Sequence, residues 1–340
     1  MWRWLGFPLL LLLLCWCLGP LWALLLLAVP ALGWFALGGR GQEEPPPPLD
    51  PRGRAVFITG CDTGFGNLLA RRLHRLGFSV YAACLFPEGQ GARELQEAAA
   101  EAGGPERLSI VKLDVRRDSD VAEAAEFVKG HLPEKGLWAL VNNAGLSACG
   151  NTDWHSINKY KQVVDVNLIG SIRTTLAFLP LIRKYKGRMV FMSSTNAFVT
   201  AKNGIYSMTK AALERFCDSL RLDMKSFGVK VSIIEPGNYS QATNIQMQKP
   251  PEVIWNELSE EVKAIYSKEY VQEVTELVND NLRKGSSKGY EVIDAIVEAL
   301  TSASPRARYM VASMKEKIIV FLFCICPTSW LDALLSSTFK

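Results

Sequence analysis

A glycine-rich turn between a short apolar segment and a helical pattern constrains the fold of this chain more than any other feature. Residues 55–58 are apolar and include β-branched and aromatic side chains, which is typical of a buried parallel strand. The turn at 59–66 carries three glycines, and leucines at helical spacing follow it over 68–76. Such glycines let the backbone turn tightly and approach a pyrophosphate, which the helix N-terminus attracts. The segment therefore predicts a dinucleotide-binding unit, and an ordinary glycine-rich turn is the alternative.

Further apolar segments alternate with helical patterns along the chain. The segments typical of strands are residues 79–85, 108–115, 137–141, 188–192 and 230–234. This alternation predicts a single α/β domain at 54–310 with a doubly wound parallel sheet of the Rossmann type. Ligands of such sheets bind beyond the carboxyl ends of the strands. Asn-Asn-Ala-Gly at 142–145 and Pro-Gly at 236–237 fall at such ends, so we expect them at the site.

Tyr206 and Lys210 are four residues apart in a segment of helical character. On a helix both side chains rise from one face, and an ammonium group one turn away lowers the pKa of a phenol. The phenol can then exchange a proton with a substrate hydroxyl. Ser194, at the end of a predicted strand twelve residues before Tyr206, is placed to hold the substrate oxygen. Helices show this spacing often, so a packed tyrosine beside a solvated lysine is the alternative.

The choice of dinucleotide depends on an acidic residue. A dinucleotide fold often ends its second strand with an acid that binds the adenosine ribose. None stands at the end of 79–85, and Asp62, inside the glycine-rich turn, is the candidate instead. Its carboxylate would repel a 2′-phosphate, and the turn contains no lysine or arginine. The sequence therefore favours NAD over NADP.

Composition argues against several other classes of protein. The 340 residues carry 38 Lys and Arg against 34 Asp and Glu, and a net charge of +4 gives no reason to expect nucleic acid as a partner. Three histidines and eight cysteines without C-x-x-C spacing predict no metal site. We expect the cysteines to be reduced and mostly buried.

The N-terminal segment is apolar over a length that can cross a membrane. Between Arg3 and Arg40 no residue is charged, and a bilayer core needs about 20 apolar residues as a helix. Residues 1–40 therefore predict a membrane anchor, as one tilted, kinked span or, second, a short helical hairpin. A cleaved signal peptide is the competing interpretation. Four consecutive prolines within 41–53 predict a stiff linker to the globular domain.

The C-terminal third contains two further segments of interest. Residues 255–270 predict helices that lie over the active site as a lid, with ordinary surface packing as the alternative. Within 311–340, residues 318–326 are apolar but too few to span a membrane. With Trp330 nearby they predict a segment in the membrane interface, and a dimer or core contact is the alternative.

Together, the ordered motifs resemble those of the short-chain dehydrogenase/reductase family over about residues 53–310. The matching motifs are Thr-Gly-x-x-x-Gly-x-Gly at 59–66, Asn-Asn-Ala-Gly at 142–145, Asn167, Ser194, Tyr-x-x-x-Lys at 206–210 and Pro-Gly at 236–237. The resemblance implies that Tyr206 is the catalytic acid/base and that Lys210 lowers its pKa and binds the nicotinamide ribose. It also implies that Ser194 stabilises the substrate oxygen and that Asn167 completes a proton relay through water. The implied cofactor-binding residues are Thr59, Gly60, Asp62, Thr63, Gly64, Phe65, Gly66, Asp114, Val115, Asn143, Ala144, Gly145, Tyr206, Lys210, Pro236 and Gly237.

Two places depart from the family pattern. A threonine often follows the Pro-Gly glycine by four residues and touches the nicotinamide carboxamide, but Gln241 stands at that position. Thr243 or Ser240 is a candidate to replace it. The loop after Ser194, residues 195–198, lacks the usual glycine.

Finer matches resemble a membrane-associated branch of the family, which contains retinol, 11β- and 17β-hydroxysteroid (type 2) and D-3-hydroxybutyrate dehydrogenases. These matches are residues 58–67, with Thr63 in place of a serine, and residues 136–143, 160–163, 178–183 and 235–238. The branch implies an NAD-dependent oxidoreductase in the endoplasmic reticulum membrane that acts on a lipophilic alcohol or ketone, a retinoid or hydroxysteroid. A D-3-hydroxybutyrate dehydrogenase, with the mitochondrial inner membrane as its location, is the first alternative.

The alternatives differ in what they require of the site. A 3-hydroxy acid needs a cation for its carboxylate, and Lys202, just before Tyr206, is the candidate; a solvated loop lysine is the other interpretation. A non-catalytic dinucleotide-binding sensor or scaffold is the second alternative, and the intact Ser-Tyr-Lys set argues against it. Membrane lipid is an expected partner, and a homo-oligomer is left open.

Overall fold

A computed structural model of the chain describes residues 49–200 and 202–338. The predicted anchor at 1–40 and most of the predicted linker lie outside the described residues, so they stay predictions. The described part contains the whole of the predicted α/β domain apart from residue 201.

A seven-stranded, all-parallel sheet forms the centre of the domain, with the strand order β3-β2-β1-β4-β5-β6-β7. The strands are β1 (Ala55–Thr59), β2 (Ser79–Cys84), β3 (Leu108–Lys112), β4 (Leu137–Asn142), β5 (Arg188–Met192), β6 (Lys230–Pro236) and β7 (Arg308–Val311). Every residue of β1, β4 and β5 is buried, which explains why these segments read as continuous apolar runs. The chain winds outward in both directions from β1 and β4, so a crevice opens between their carboxyl ends. The prediction of a doubly wound parallel sheet is confirmed.

Helices connect the strands and cover both faces of the sheet. They are α1 (Gly64–Leu76), α2 (Gln90–Glu101), α3 (Asp118–Gly130), α4 (Ile157–Val164), α5 (Ser171–Lys184), α6 (Gly204–Asp223), α7 (Pro251–Glu257), α8 (Glu260–Ile265), α9 (Lys268–Arg283), α10 (Gly289–Thr301), α11 (Met314–Ile325) and α12 (Thr328–Thr338). One-turn 3₁₀ helices lie at Pro105–Arg107, Thr152–Trp154, Thr195–Ala197, Lys225–Phe227 and Ser240–Ala242.

Alternate residues of each strand enter two separate hydrophobic cores, because successive side chains point to opposite faces of a sheet. Phe57 of β1 joins the core made with α3, α5 and α6, where its ring lies 4.3 Å from that of Phe178. Val56 and Ile58 join the core made with α1, α2 and α10. The two cores hold the strand ends in fixed positions, and those ends carry the candidate site.

One long helical stretch contains a change of helix type. The sequence predicts a helix over 160–179, and the structure has continuous helix over Ile157–Lys184 in which Asp165–Gly170 is a π-helix. Among the described residues, it is also the helix whose length and apolar composition would suffice to cross a membrane. Its side chains Phe178 and Ile182 are buried in the sheet core, so its apolar character is that of a core helix. We therefore draw no membrane assignment from it.

The C-terminal segment adds elements that the sequence did not predict. Strand β7 was not expected, and it pairs with β6 through Ile233 and Arg308 and the residues that follow. The predicted apolar segment forms α11, whose side chains Ile318, Phe321 and Ile325 are 52%, 60% and 51% exposed. Val320 on the same helix is buried. The helix thus rests on the domain through one face and presents an apolar face outward.

Candidate active site

A cavity of about 650 Å³ lies at the carboxyl ends of the strands. Most of the predicted site residues line it: Gly60, Asp62, Thr63, Phe65, Asp114, Val115, Asn143, Ala144, Gly145, Ser194, Tyr206, Lys210, Pro236 and Gly237. Thr59, Gly64, Gly66 and Asn167 are not among its lining residues. The topology thus gathers residues that are up to 177 positions apart, from Gly60 to Gly237, around one space.

The glycine-rich turn is tied to the end of β4. The Thr59 hydroxyl accepts hydrogen bonds of 3.0 Å from the main-chain N–H groups of both Asn143 and Ala144. In return, the Asn143 side chain donates to the carbonyl oxygens of Thr59 and Gly60 at 2.9 and 3.0 Å. These four bonds fix the distance between the two walls of the crevice. Asn143 therefore lines the cavity, while Thr59 supports its wall from behind.

Two positions in the turn require glycine because other backbone atoms approach them closely. Gly60 has a φ of +71°, and a Cβ there would lie 2.8 Å from Cα of Ala144. A Cβ at Gly66 would lie only 2.2 Å from the carbonyl oxygen of Gly60. The first turn of α1 is thereby brought against the loop that precedes it.

This turn fits a dinucleotide pyrophosphate. Helix α1 begins at Gly64, its Thr63 N-cap makes no side-chain capping hydrogen bond, and its first turn contains no acidic residue. The first N–H groups of a helix have no partner within the helix, and the positive end of the helix dipole lies there. Thr63 and Phe65 line the cavity at this end. An anionic phosphate pair is the chemical group that such an end binds.

Asp62 lies at the end of the second strand although it belongs to the turn after the first. Its carboxylate accepts hydrogen bonds of 2.9 Å from the main-chain N–H groups of Leu85 and Phe86. The side chain therefore occupies the place where an acid commonly ends β2, as the sequence predicted. Asp114 lies nearby in the wall, where it holds Arg116 in an ion pair of 2.6 Å.

Ser194, Tyr206 and Lys210 meet at the other end of the cavity. Ser194 follows β5, its hydroxyl accepts the N–H of Asn196 at 3.1 Å, and it lies close enough to the Tyr206 phenol to lower the pKa of that group. Tyr206 and Lys210 lie on the first turns of α6, with the ammonium nitrogen 5.4 Å from the centre of the phenol ring. The structure brings these three side chains together, as the sequence predicts.

Burial dominates the proton affinities of this group. It raises the pKa of Tyr206 to about 12, while the nearby Ser194 hydroxyl acts in the opposite direction. Burial likewise lowers the pKa of Lys210 to about 8. The sequence predicts a lowered phenol pKa, but in the structure the loss of hydration on burial raises it. Near neutral pH the phenol keeps its proton and the lysine is mostly cationic.

Asn167 lies in the π-helix and acts on the loop after β4. Its side-chain oxygen accepts the N–H of Leu146 at 2.7 Å, and its amide donates to the Leu146 oxygen and the Thr209 hydroxyl at 2.9 and 3.0 Å. These bonds join the π-helix, the loop after Gly145 and α6. The side chain thus holds three walls of the cavity together, and a water relay through Asn167 stays a prediction.

The two departures from the family pattern have clear positions. The Gln241 side chain turns away from the cavity and donates to the Leu282 oxygen at 2.7 Å. Thr243 instead lines the cavity, and its hydroxyl lies 3.0 Å from where a Cβ at Gly64 would be. Ser240 also lines the cavity but donates to the Leu282 oxygen. Thr243 is therefore the better placed of the two candidate substitutes.

Lys202 is neither a residue of the cavity wall nor a solvated loop lysine. Its ammonium donates to the Asn151 side chain at 2.8 Å and to the Tyr270 hydroxyl at 3.1 Å. Tyr270 belongs to α9, so this contact attaches that helix to the loop before Tyr206. Helix α9 contributes Val278, Asn281 and Leu282 to the cavity wall. No residue of the predicted lid segment 255–270 is among the lining residues, so a lid function of that segment stays a prediction.

A charged cluster behind Lys210 was not predicted. Glu214 and Glu235 are each 1–2% exposed, and Arg308 of β7 donates to both at 2.5 and 2.6 Å. Ser193 donates to Glu214 at 2.6 Å, one residue before Ser194. Burial, together with the charge of Glu214, raises the pKa of Glu235 to about 7. The partners are far apart in sequence, so no local signal identifies the cluster.

Several residues of the cavity wall were also not predicted. They include Leu146, Ser147, Cys149, Gln162, Val166, Met192, Asn196, Asn203, Asn238, Ile245, Gln246, Val278, Asn281, Leu282 and Glu316. Only Glu316 carries a local signal, because Ser313 and Glu316 form the Ser-x-x-Glu pattern of a capping box. The six cysteines in the described part of the chain are free thiols, and no group of three potential ligands there could hold a metal ion.

Comparison with known proteins identifies the family of the chain. The family model for short chain dehydrogenase matches residues 54–253. The mitochondrial D-beta-hydroxybutyrate dehydrogenase of Rattus norvegicus is 41% identical over 266 residues, which cover 76% of this chain and 76% of that protein. Retinol dehydrogenase 16 of Mus musculus is 39% identical over 283 residues, which cover 82% of this chain and 87% of that protein.

Solved structures support the fold. A short chain dehydrogenase/reductase from Burkholderia phymatum in complex with NAD has a TM-score of 0.63 at 21% identity, covering 81% of this chain and 94% of that one. One from Burkholderia cenocepacia in complex with NADP has a TM-score of 0.61 at 22% identity, covering 84% and 99%. With the family match and the two relatives, these likenesses lead to one conclusion: the chain belongs to the short chain dehydrogenase family and is an oxidoreductase that acts on alcohol groups.

Proposed function

We propose that the protein is a membrane-anchored, NAD-dependent oxidoreductase of a lipophilic alcohol or ketone, a retinoid or hydroxysteroid. The observation that carries the proposal is the convergence of Ser194, Tyr206 and Lys210 with the glycine-rich turn around one cavity. A bound nicotinamide supplies or accepts the hydride. The protein's own side chains then have to hold the substrate oxygen and move its proton.

The proton passes through Tyr206. In the reductive direction the phenol, which keeps its proton near neutral pH, donates it to the substrate oxygen as that oxygen gains charge. In the oxidative direction the phenolate oxygen takes the proton of the substrate hydroxyl. Ser194 hydrogen-bonds the same oxygen position, and Lys210 supplies the positive charge that a buried phenolate needs.

Preference for NAD is supported by the charges around the predicted ribose position. Asp62 presents a carboxylate there, and two main-chain N–H groups fix it. Arg116, which could otherwise attract a 2′-phosphate, is held by Asp114 through three hydrogen bonds of 2.6 to 3.1 Å. The additional 2′-phosphate of NADP would therefore meet a negative surface.

An apolar substrate is supported by the lining of the substrate end. Leu146, Val166, Met192, Ile245, Val278 and Leu282 contribute apolar side chains to the wall. Among the described lining residues, the cations are Lys210 and Arg116, and both have hydrogen-bond partners in the protein. A carboxylate on the substrate would thus find no dedicated ammonium or guanidinium group in that wall.

D-3-hydroxybutyrate is the second candidate substrate. The similarity to D-beta-hydroxybutyrate dehydrogenases, up to 42% identity for that of Bos taurus, supports it. So do Asn196, Asn203 and Gln246, whose amide groups line the wall and can donate to a carboxylate. Either substrate keeps the same roles for Ser194 and Tyr206.

Attachment to a membrane is part of the proposal. It is supported by the uncharged sequence between Arg3 and Arg40 and by the outward apolar face of α11. The endoplasmic reticulum is the proposed location and the mitochondrial inner membrane the alternative. An anchor would keep the cavity close to alcohols dissolved in the bilayer.

The test is NADH formation by membranes that contain the full chain, with all-trans-retinol, an 11β- and a 17β-hydroxysteroid and D-3-hydroxybutyrate supplied in parallel. Membranes with the Tyr206→Phe variant provide the background of other dehydrogenases. Turnover of a retinoid or steroid above that background supports the proposal, and turnover of hydroxybutyrate alone overturns the lipophilic assignment. Binding of NADH without turnover of any alcohol would favour a sensor or scaffold.

A further inference from the structure

The C-terminal segment reaches the cavity through Glu316. This residue lies in the first turn of α11, beyond the part of the chain that the family model matches. One carboxylate oxygen accepts the main-chain N–H of Asn238 at 2.7 Å. The other accepts the N–H and the hydroxyl of Ser313 at 2.9 and 2.7 Å. A single side chain therefore joins the start of α11 to the loop after β6.

That loop contains the Pro-Gly motif of the cofactor site. A Cβ at Gly237 would lie 2.6 Å from both carboxylate oxygens of Glu316, so the carboxylate rests directly on this glycine. On one side, the N–H of Gly237 donates to the Val311 oxygen at 2.8 Å, which continues the pairing with β7. On the other, Ser194 donates to the Pro236 oxygen at 3.4 Å. The loop is thus clamped between Ser194 and the C-terminal segment.

Further contacts hold the residues that follow the motif. Gln241, at the place where the family pattern has a threonine, turns away and bonds the Leu282 oxygen. Asn238 is bonded at both ends, its N–H to Glu316 and its side-chain amide to the Asn281 oxygen at 2.6 Å. The position of the loop therefore depends on residues far downstream as well as on bonds within it, such as those from Ser240 to the Asn238 side-chain oxygen.

We propose that Glu316 is a positioning residue of the active site, which holds the Gly237–Asn238 loop in the shape that the nicotinamide end of the cofactor needs. Helix α11 is then a structural part of the active site as well as a surface helix. The inference rests on the proposed placement of the cofactor between the glycine-rich turn and the Pro-Gly loop. A purely local role, in which Glu316 only caps α11, is the competing explanation.

Four variants of the full-length, membrane-bound protein separate the two roles. Glu316→Ala removes every contact of the carboxylate. Glu316→Gln keeps an oxygen that can accept the Asn238 N–H. Glu316→Asp keeps the charge at the start of the helix, but its shorter side chain cannot reach both Ser313 and Asn238. Ser313→Ala removes the helix cap and the hydroxyl bond to Glu316, but it keeps the bonds of that carboxylate to the main-chain N–H groups of residue 313 and Asn238.

The measurement is the Kd of NADH by fluorescence, together with kcat, the KM for NAD and the thermal midpoint. We expect Glu316→Ala and Glu316→Asp to raise the Kd about tenfold, which is the loss expected for hydrogen bonds to a charged acceptor. Glu316→Gln should stay within about threefold, and Ser313→Ala should lower the thermal midpoint while its Kd stays within about twofold.

Two results would overturn the inference: an unchanged Kd in both Glu316→Ala and Glu316→Asp, or a rise in Ser313→Ala as large as in Glu316→Ala. Glu316→Asp provides the comparison if the alanine variant does not fold. The proposed function fails separately, through wild-type protein that binds NADH but oxidises none of the alcohols. In that case the Kd of NADH for each variant, relative to that of wild type, still tests the role of Glu316.

Discussion

The ammonium group of Lys210 donates a hydrogen bond of 2.6 Å to the carbonyl oxygen of Met192 at the end of β5. Because Ser194 follows Met192 by two residues, this bond sets the position of α6, and hence of Tyr206, relative to the serine. The lysine therefore has a structural use in addition to its charge. Its burial lowers its pKa to about 8, so the same side chain sits near the point where that charge is lost.

Replacement of Tyr206 by phenylalanine tests the proton path. The hydroxyl is the group that exchanges a proton with the substrate, while the ring packs in a buried site. We expect Tyr206→Phe to lower kcat by about 10²- to 10⁴-fold and to leave the Kd of NADH nearly unchanged. Steady-state kinetics and fluorescence titration provide the two values. Loss of NADH binding together with turnover would contradict the assigned role.

Asp62 is the residue on which the choice of NAD depends. Asp62→Arg replaces the repelling charge with an attracting one, and we expect it to raise kcat/KM for NADP relative to NAD by about tenfold or more. The substitution also removes the acceptor of the Leu85 and Phe86 N–H groups. Asp62→Asn is the matched control, because its amide oxygen can still accept one of those bonds. An unaltered ratio in Asp62→Arg would refute the charge argument.

The buried pair Glu214 and Glu235 makes stability depend on pH. One guanidinium group, that of Arg308, cannot neutralise both carboxylates, and the pKa of Glu235 is raised to about 7. Between the ordinary value of 4.5 and 7, the folded protein keeps a proton that the unfolded chain releases. The contribution of this group is therefore fully present below about 4.5 and is lost as the pH rises towards 7.

Glu235→Gln removes this titration and keeps a hydrogen-bonding side chain. As the pH rises from 5 to 8, we expect the unfolding free energy of the variant to increase by about 1–3 kcal/mol relative to that of wild type. Urea unfolding at pH 5 and at pH 8 measures that increase. Glu298→Gln serves as the control, because the Glu298 carboxylate is half-exposed. A difference between variant and wild type that does not change with pH would show that Glu235 stays ionised throughout.

The parts of the site that follow from local spacing are the ones that the sequence predicts. The glycine-rich turn and the Tyr206–Lys210 pair each lie on one connected strand, turn or helix, so their geometry follows from a few neighbouring residues. Strand β7 does not follow in this way. It has only four residues, and the partners that bind its Arg308, on α6 and β6, are 73 to 94 residues away in sequence.

The same distinction explains the wrong direction predicted for the pKa of Tyr206 and the contacts of the loop after β6 that were not predicted. A lysine four residues away predicts a lowered phenol pKa, but the raised value comes from burial by the whole fold. The position of Asn238 depends on Glu316, 78 residues downstream. Motif spacing thus identifies which residues meet, whereas burial and distant contacts decide their charge and their exact placement.

The contributions of residues 1–40 and of α11 to membrane attachment can be measured separately. We expect the full chain to remain in the membrane pellet after alkaline carbonate treatment, because about 20 apolar residues in a helix suffice to span a bilayer.

A variant without residues 1–40 should be released by that treatment and should still bind phosphatidylcholine vesicles through the apolar face of α11. Adding Phe321→Asp to that variant should abolish vesicle binding, since the side chain is exposed and the change puts a charge on that face. Leu222→Asp, at an exposed leucine on α6, is the matched control and should leave vesicle binding unchanged. Release of the full chain by carbonate would contradict the anchor, and equal binding by the Phe321→Asp and Leu222→Asp proteins would contradict the role of α11.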